Sequence, residues 1–568
     1  MSPSTTPPRT AFRLGQGILA GLAAAWAFCL CLFPLHDTDF WWHLRTGDLI
    51  RQTETIPRVD LFSSTHSGDL WVDLHWGFQV LISWLYERGG VAAVIPTKAA
   101  VYTFAFAVAV VASRSASRMG WQRDGGASPQ TPAPQTEAAS LSLALWCWLL
   151  PIVAMSGRAL ERPEMLTILF LACTLAILVR AEEFPRRLAL LPPLFLVWIN
   201  CHALFVLGAI ACVAWALEIV LRWRLAPRWG LQPVSAGLRW TWLTGITAIS
   251  VGVLFINPWG IDGVLFPLTL YRKFSVDQDF YSLRVGEFQT PWSFLQRFGF
   301  ANVYLDAQLA VMALLVVVLV IRTWRTGARP WQLLLAVAFL NLAWEASRNV
   351  SPFCVVAGFV LVQSLGVTPR QDTPVEPSER VPGNGVSPDE LLLVLLFMLH
   401  GAAIFSGLWN DLGERNKPFE IREARAWFMH DAARFIARDG MPKLVYARHN
   451  GQASLVIYHA GPERLVFFDP RLELMSRETF ERFDAAADAM RRADPAWDRH
   501  VRGPDDPRPS VLLDSRTSRD EIVGLANTPG WRLVFADGSG AVFVPDEVAT
   551  RLNLPPADLT PLMFPPET

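Results

Sequence analysis

Hydrophobic residues fall in long uninterrupted runs up to about residue 409 and in short periodic groups beyond it. The runs at 15–35, 92–113, 139–156, 164–180, 188–200, 203–221, 240–257, 303–322, 330–346, 350–366 and 390–409 match what is needed to cross about 30 Å of hydrocarbon. Read by hydropathy they predict about eleven crossings. The 188–200 run is short and holds Pro192 and Pro193, so half of one broken helix is the alternative there. Arg9 and Arg13 before the first run imitate a secretory signal. The run is too long for one, lacks a small-x-small cleavage site and passes directly into His36-Asp37-Thr38-Asp39, which predicts an uncleaved first transmembrane helix.

Arginine placement supplies the orientation. With the N-terminus in the cytoplasm, alternate loops hold Arg114, Arg118 and Arg123; Arg180, Arg186 and Arg187; Arg222, Arg224, Arg228 and Arg239; and Arg322, Arg325 and Arg329. That is the excess expected on the cytoplasmic side. Merging 188–200 with its neighbour would invert everything after it, so two crossings are preferred there.

After Trp409 the pattern becomes that of a soluble domain. KLVYA (443–447), LVIYH (455–459), RLVFF (464–468), SVLLD (510–514), WRLVFA (531–536) and AVFVP (541–545) read as strands among the helical EARAWFMHDAARFIARDG and ETFERFDAAADAMRRA. Gly125 to Ala138 and Val367 to Asp389 read as solvated linkers. The expected fold class is an α-helical polytopic membrane protein with a C-terminal extracytoplasmic α/β domain. Its membrane domain covers 1–409, including a large first outer loop (36–91), and the soluble domain covers 410–568.

Composition sharpens this picture. Of the 568 residues, 52% are hydrophobic and only 18% charged, against about 25% in soluble globular proteins. A formal net charge of −1 gives no footing for a nucleic-acid partner, and 24 Trp point to lipid. The seven cysteines lie in or beside apolar runs without a CxxC pair, which excludes disulfide frameworks and thiolate zinc sites.

Ionisable residues gather on the outer face, where charge beside hydrocarbon is costly and is kept for a task. The first outer loop opens with Asp37-Thr38-Asp39-Phe40-Trp41-Trp42-His43 and closes with Trp71-Val72-Asp73-Leu74-His75-Trp76. In extended geometry Asp37 and Asp39 point to one side. There they can share a divalent cation, Mg or Mn, or act as base and orienting group. Helix-end polarity with Trp41 and Trp42 in an interfacial belt is the plainer alternative; the second acidic-His pair, Asp73 and His75, favours chemistry. Other outer turns add Arg158, Arg162, Asn200, His202, Glu287 and Arg348. Guanidinium forks suit phosphate, and Arg348 has Trp344, Glu345 and Asn349 as neighbours able to orient it. Snorkelling is the alternative for the arginines, a helix start for Arg162-Pro163-Glu164, and a structural hydrogen bond for His202.

HDTDFWWHLRTGDLI, IPRVDLFSST, WVDLHWGFQVLISWLY, GRALERPEMLT, VWINCHALFVLG, INPWG, VGEFQTP and SRNVSPF follow one another as in bacterial polytopic proteins. The ordered run resembles the GT-C glycosyltransferase superfamily. It spans about residues 15–366, and VFFDPRLELM is similar to the extracytoplasmic strand-loop of that group. The resemblance implies a multi-helix membrane domain, acidic catalytic residues in a large first outer loop and a polyprenyl-phosphate-linked sugar donor. Asp37 and Asp39 match the catalytic acidic pair, and His43, Asp73, His75, Arg158, Arg162, Asn200, His202, Glu287 and Arg348 are the expected substrate-binding set. The sequence departs from its relatives in having Asp-x-Asp where they have adjacent carboxylates, and LVYARHNGQASLVIY lacks their Trp-Gly-Gly-Tyr.

The implied activity is transfer of a sugar from the lipid-linked donor to an extracytoplasmic glycan, lipid or protein acceptor at the bacterial cytoplasmic membrane. The rival class is a transporter or flippase of lipid-linked glycans, or an assembly scaffold. A transporter places ionisable groups at the bilayer midplane, whereas the predicted spans read as almost free of charge, with Glu218 and His400 near their ends.

Overall fold

The computed structural model describes residues 9–115, 139–229, 233–300, 302–325, 329–366, 387–413, 417–424 and 427–558. Arg118, Arg123 and all or most of both predicted linkers lie outside the described residues. Every stretch expected to cross the membrane is helical. The chain begins with α1 (Arg9–Leu30), α2 (Phe40–Thr53) and α3 (Trp76–Ser113). Next come α4 (Leu141–Ser156), α5 (Glu164–Val179), α6 (Leu191–Ile199), α7 (Phe205–Trp229) and α8 (Trp240–Val253). The stretch before the next expected span is also helical, as α9 (Ile261–Val276), α10 (Gln278–Arg284) and α11 (Pro291–Phe298). It is followed by α12 (Val303–Arg325), α13 (Pro330–Glu345), α14 (Val350–Leu365), α15 (Pro388–Phe405) and α16 (Leu408–Leu412).

Among the described residues, five helical stretches are long and apolar enough to cross a membrane: Trp76–Ser113, Phe205–Leu225, Val303–Arg325, Ser347–Leu365 and Pro388–Phe405. Four shorter apolar helices accompany them. In the 188–200 region, Pro192 and Pro193 stand in the first turn of α6, where their missing N–H groups cost nothing, so they start a helix and do not break one. At nine residues α6 is about half a bilayer long.

The chain divides into two compact units, Met1–Phe33 with Pro96–Glu420, and Pro34–Ile95 with Ile421–Thr568. The division expected at 409/410 therefore does not hold for the first outer loop, which clusters with the C-terminal domain and not with the membrane helices. In the helical unit, α14 is buried along almost its whole length and packs on α4, α12 and α13. Close packing requires Gly358, because a Cβ there would lie 2.7 Å from Cδ2 of Trp148. The expectation of nearly charge-free spans misses Lys98 of α3, which is fully buried and pairs with Glu161 at 2.8 Å. A second ionic group joins Arg222 to Glu182 at 2.6 Å and Arg329 to Glu218 at 3.0 Å.

In the other unit the C-terminal segment gives α17 (His430–Ile436), β1 (Leu444–Ala447), α18 (Asn450–Ala460), β2 (Leu465–Val466) and α19 (Arg477–Arg491). It ends with β3 (Ser510–Asp514), α20 (Arg519–Ala526), β4 (Trp531–Ala536), β5 (Gly540–Pro545) and α21 (Asp546–Arg551). The sheet order is β2-β1-β3-β5-β4, with β1 parallel to β2 and β3, and β5 antiparallel to β3 and β4. LVIYH, expected as a strand, lies in α18. A short buried apolar run fits either element, and the capping box of His449 with Gln452 starts a helix ahead of it.

The first outer loop completes this unit. Leu35 bridges Glu423, Ser63 bridges Val466, and α2 packs on α18 with the Trp42 N–H donating to Ser454 Oγ at 3.0 Å.

Candidate active site

Asp39 is the N-cap of α2, with φ −89° and ψ −17°, helical and not extended. The expected extended Asp-x-Asp pair is therefore replaced by a turn in which Asp37 Oδ1 accepts the Asp39 N–H at 3.2 Å. Asp37 is buried and Asp39 half-buried. Trp41 and Trp42 form no interfacial belt. Both are buried, Trp41 among Phe428, His430 and Tyr458, and Trp42 against His43 and near Trp71.

The end of the loop meets this turn through side chains. Asp73 Oδ1 accepts from the His75 N–H at 3.1 Å and lies 3.0 Å from His75 Nδ1. Gln79 Nε2 donates to Asp73 Oδ2 at 2.7 Å and lies 3.3 Å from His43 Nδ1. The His43 and His75 rings stand edge to face, with centroids 5.5 Å apart. His43, Asp73 and His75, three of the expected substrate-binding residues, share one cluster. Glu473 joins it from the VFFDPRLELM segment, with Oε1 accepting from Trp71 Nε1 at 3.2 Å.

Charge in this cluster is strongly coupled. Burial opposes protonation of His75, but the hydrogen bond and charge of Asp73, then the charges of Glu473 and Asp39, outweigh it and hold the imidazole pKa above its ordinary value. Burial raises the Glu473 carboxyl, against the lowering charges of His75 and Arg471. Glu473→Gln should therefore lower the His75 pKa. Acylation of His75 by diethylpyrocarbonate, followed by peptide mass spectrometry across pH, should show its half-reaction point moving to lower pH. An unmoved point would contradict this coupling.

Below the cluster, Arg471 grips Asp469 through Nε at 3.1 Å and Nη2 at 2.6 Å, and reaches Asp60 Oδ1 at 2.7 Å. All three side chains are sealed from solvent. Asp60 also accepts from the Phe62 N–H at 3.0 Å and from the Ser63 hydroxyl. The triad ties the first outer loop to the segment that carries Glu473. Arg471, Glu473, Asp60 and Gln79 were not singled out in the sequence, although VFFDPRLELM contains two of them.

The helical unit carries the arginine group. Arg158 pairs with Glu164 and Glu287, each at 3.2 Å, and Arg162 with Glu287 at 3.0 Å. Burial would raise the Glu287 carboxyl, but the Arg158 and Arg162 charges hold it well below the carboxylate range, with further help from Arg348. Among the described residues no carboxylate lies within ion-pair distance of Arg348. Trp344, Glu345 and Asn349 do not orient it: Glu345 accepts from Asn341, Asn349 donates to the Leu342 carbonyl, and Trp344 is exposed. Instead the guanidinium lies 4.4 Å from the Phe288 ring centroid and 5.8 Å from that of Phe274.

Asn200 and His202 have structural partners. Asn200 donates to the carbonyls of Leu196 and Ile256, both at 2.9 Å, and His202 Nδ1 lies 2.7 Å from the Thr167 hydroxyl. As for a metal, among the described residues no three His, Cys, Asp or Glu side chains are arranged to hold one. Asp37 and Asp39 offer two carboxylates, so the remaining ligands of any cation would have to come from substrate or water.

No protein-family model and no curated protein matches the sequence. Solved structures do. The oligosaccharyltransferase of Archaeoglobus fulgidus in its apo form superposes with a TM-score of 0.53 at 10% identity, covering 90% of this chain and 71% of that one. The archaeal oligosaccharyltransferase AglB from Archaeoglobus fulgidus, in complex with an inhibitory peptide and a dolichol-phosphate, gives a TM-score of 0.54 at 10% identity with the same coverage. The fold of this chain is thus similar to that of these archaeal oligosaccharyltransferases.

Proposed function

We propose that the protein is an integral-membrane glycosyltransferase that moves a sugar from a polyprenyl-phosphate-linked donor to an extracytoplasmic glycan, lipid or protein. One observation supports this most. Within an oligosaccharyltransferase-like fold, the carboxylates of Asp39, Asp73 and Glu473, from three separate stretches of chain, all act on the His75 imidazole, and Asp37 accepts the Asp39 N–H.

In the proposed reaction Asp37 or Asp39 takes the proton of the acceptor nucleophile as it bonds to the sugar's anomeric carbon. The bond from that carbon to the donor phosphate breaks, and the phosphate leaves with the electron pair. Asp73 favours the protonated form of His75, and that form brings a positive charge among the carboxylates. Asp37 and Asp39 would hold a Mg or Mn ion, whose charge would favour departure of the phosphate.

On the helical unit the same reading makes Arg348 the anchor of the donor phosphate, because Arg158 and Arg162 are already engaged by Glu287. The aromatic contacts of Arg348 hold the guanidinium without consuming its hydrogen-bond donors. Arg348→Lys should raise the apparent donor KM roughly tenfold and Arg348→Ala more, with Arg325→Ala near neutral. Kinetics at varied donor concentration check this. An unchanged donor KM in Arg348→Ala would reject a role of this residue in donor binding.

The proposed topology puts the N-terminus in the cytoplasm of a bacterial cell and the segment beyond Trp409 outside, as the arginine count requires. A reporter fused after Trp409 should be active in its extracytoplasmic form, and activity confined to the cytoplasm would reject the orientation. The transporter reading draws on buried charges of the helical unit, but Lys98 pairs with Glu161, and Arg222 and Arg329 with Glu182 and Glu218, so these charges are matched among the described residues.

A further inference from the structure

Strands β1 and β3 are parallel neighbours whose connections run to opposite sides of the sheet, β1 through α18 to β2 and β3 through α20 towards the β4 edge. The crevice at their carboxyl ends is the switch point at which open α/β sheets receive ligands. Arg448 and His449 lead there into α18, and Ser515 to Ser518 lead into α20. Helices of 11 and 8 residues thus bring two N-termini, with their partial positive charge, to one edge, where the His449 ring accepts the Gln452 N–H and Asp514 Oδ1 accepts the N–H groups of Arg516 and Thr517.

A helix N-terminus alone would say little, but buried donors stand beside these two. Gln452 Oε1 accepts the His449 N–H at 3.2 Å, and the His449 ring accepts the Gln452 N–H in return. With one ring nitrogen accepting, His449 Nε2 carries the hydrogen and donates to Thr517 Oγ1 at 2.7 Å. The same bond fixes which end of the Gln452 amide is oxygen, so its NH2 group is the other end. That group lies at the first turn of α18 on a side chain only 3% exposed, and among the described residues it has no hydrogen-bond partner. The Ser518 hydroxyl at the start of α20 is fully buried and likewise without a partner among the described residues. Arg448 and Arg516 stand on the adjoining loops at loose distances from their carboxylates, 3.4 Å to Glu521 and 3.7 Å to Asp514. Both exceed the roughly 2.7–2.9 Å of a committed charged pair.

We propose that this crevice is an oxyanion site, taking a phosphate or carboxylate group of a substrate on the Gln452 amide, the Thr517 and Ser518 hydroxyls and the Arg448 and Arg516 guanidinium groups. Its place connects it to the acidic turn. Gly451, in the first turn of α18, lies against Thr38, where an added Cβ would be 3.2 Å from Thr38 Cγ2. An oxyanion bound here therefore belongs to a molecule that also reaches Asp37 and Asp39. This last step rests on the glycosyltransferase reading, whereas the existence of the site does not.

Calorimetric titration of the purified full chain with inorganic phosphate tests the site without turnover. The wild type should bind phosphate saturably. Gln452→Glu keeps the capping box, since Glu serves at that position as Gln does, and places a like charge in the crevice, so it should weaken binding at least about tenfold. Arg516→Gln, on an exposed loop, should weaken it several-fold and keeps the test open if the first variant does not fold. Absence of saturable binding in the wild type, or equal affinity in both variants, overturns the site. In a transfer assay, a raised acceptor KM in Arg516→Gln assigns the oxyanion to the acceptor, and a raised donor KM assigns it to the donor phosphate. Weakened phosphate binding with both KM values unchanged overturns the substrate role. If no transfer activity exists at all, the calorimetry still decides the site while the functional reading fails.

Discussion

Asp37→Asn and Asp39→Asn are each expected to abolish sugar transfer, by about 10²–10⁴-fold, while the chain stays folded. The substitution at Asp37 is nearly silent in structure. Its Oδ1 accepts the Asp39 N–H at 3.2 Å, and the amide oxygen of Asn can accept the same bond. What disappears is the negative charge, and with it the ability to take a proton or hold a cation. Asp39 makes no side-chain cap to α2, so its carboxylate is not needed to start that helix. Transfer rates measured beside thermal unfolding of the same preparations separate chemistry from folding. Full activity in both variants at unchanged stability would reject an Asp-centred mechanism.

Arg471→Met should produce the largest loss of stability in the unit formed by 34–95 and 421–568. Removing the guanidinium leaves Asp60 and Asp469 facing each other in a site sealed from solvent, a situation that costs about 3–5 kcal/mol. Replacing all three, as Arg471→Met with Asp60→Asn and Asp469→Asn, removes the uncompensated charge and should recover part of that loss. The pH dependence has a definite sign. Burial would raise the Asp60 carboxyl, but the Arg471 charge and the hydrogen bonds from Ser63 and Phe62 outweigh it, so its folded-state pKa lies below the unfolded one. Its contribution is present above the ordinary carboxylate pKa of about 4 and is lost as pH falls through the lowered folded value. Denaturation curves from neutral to acid pH should show a steeper acid loss in the wild type than in Arg471→Met. Parallel curves, or a variant as stable as the wild type, would contradict the role of the triad.

The helices were legible because an apolar run long enough to span hydrocarbon has few other uses; helical stretches fall where those runs lie, and five of them, among the described residues, are long and apolar enough to cross. The mixed sheet was largely legible from short apolar runs rich in Val, Leu and Phe, buried on both faces in β3 and β5. α18 was not, because Leu455, Val456 and Ile457 are consecutive and all buried, and so short an apolar run carries no period. The candidate site was half legible. Asp37, Asp39, Asp73 and His75 stand close together in sequence at the two ends of one loop, and acidic-His spacing is visible in a linear string. Glu473 and Arg471 were hidden because their partners are remote: Trp71 and Glu473 are separated by 402 positions. The first outer loop groups with the C-terminal domain for the same reason, since it is held by contacts such as Trp42 with Ser454 that no local pattern announces. The geometry of the Asp37 turn was misjudged because Asp is at home both in extended chain and at a helix N-cap.

The central claim is that Asp37 and Asp39 serve the transfer of a sugar to an extracytoplasmic acceptor. It is tested most directly by mass spectrometry of extracytoplasmic glycans from three strains: one with the wild-type gene, one without it, and one producing Asp37→Asn at wild-type level. The account predicts that one sugar is missing from the gene-less strain and equally missing from the Asp37→Asn strain. A sugar that disappears with the gene yet persists in full with Asp37→Asn and with Asp39→Asn would contradict it, leaving the protein needed for the glycan but not as its transferase.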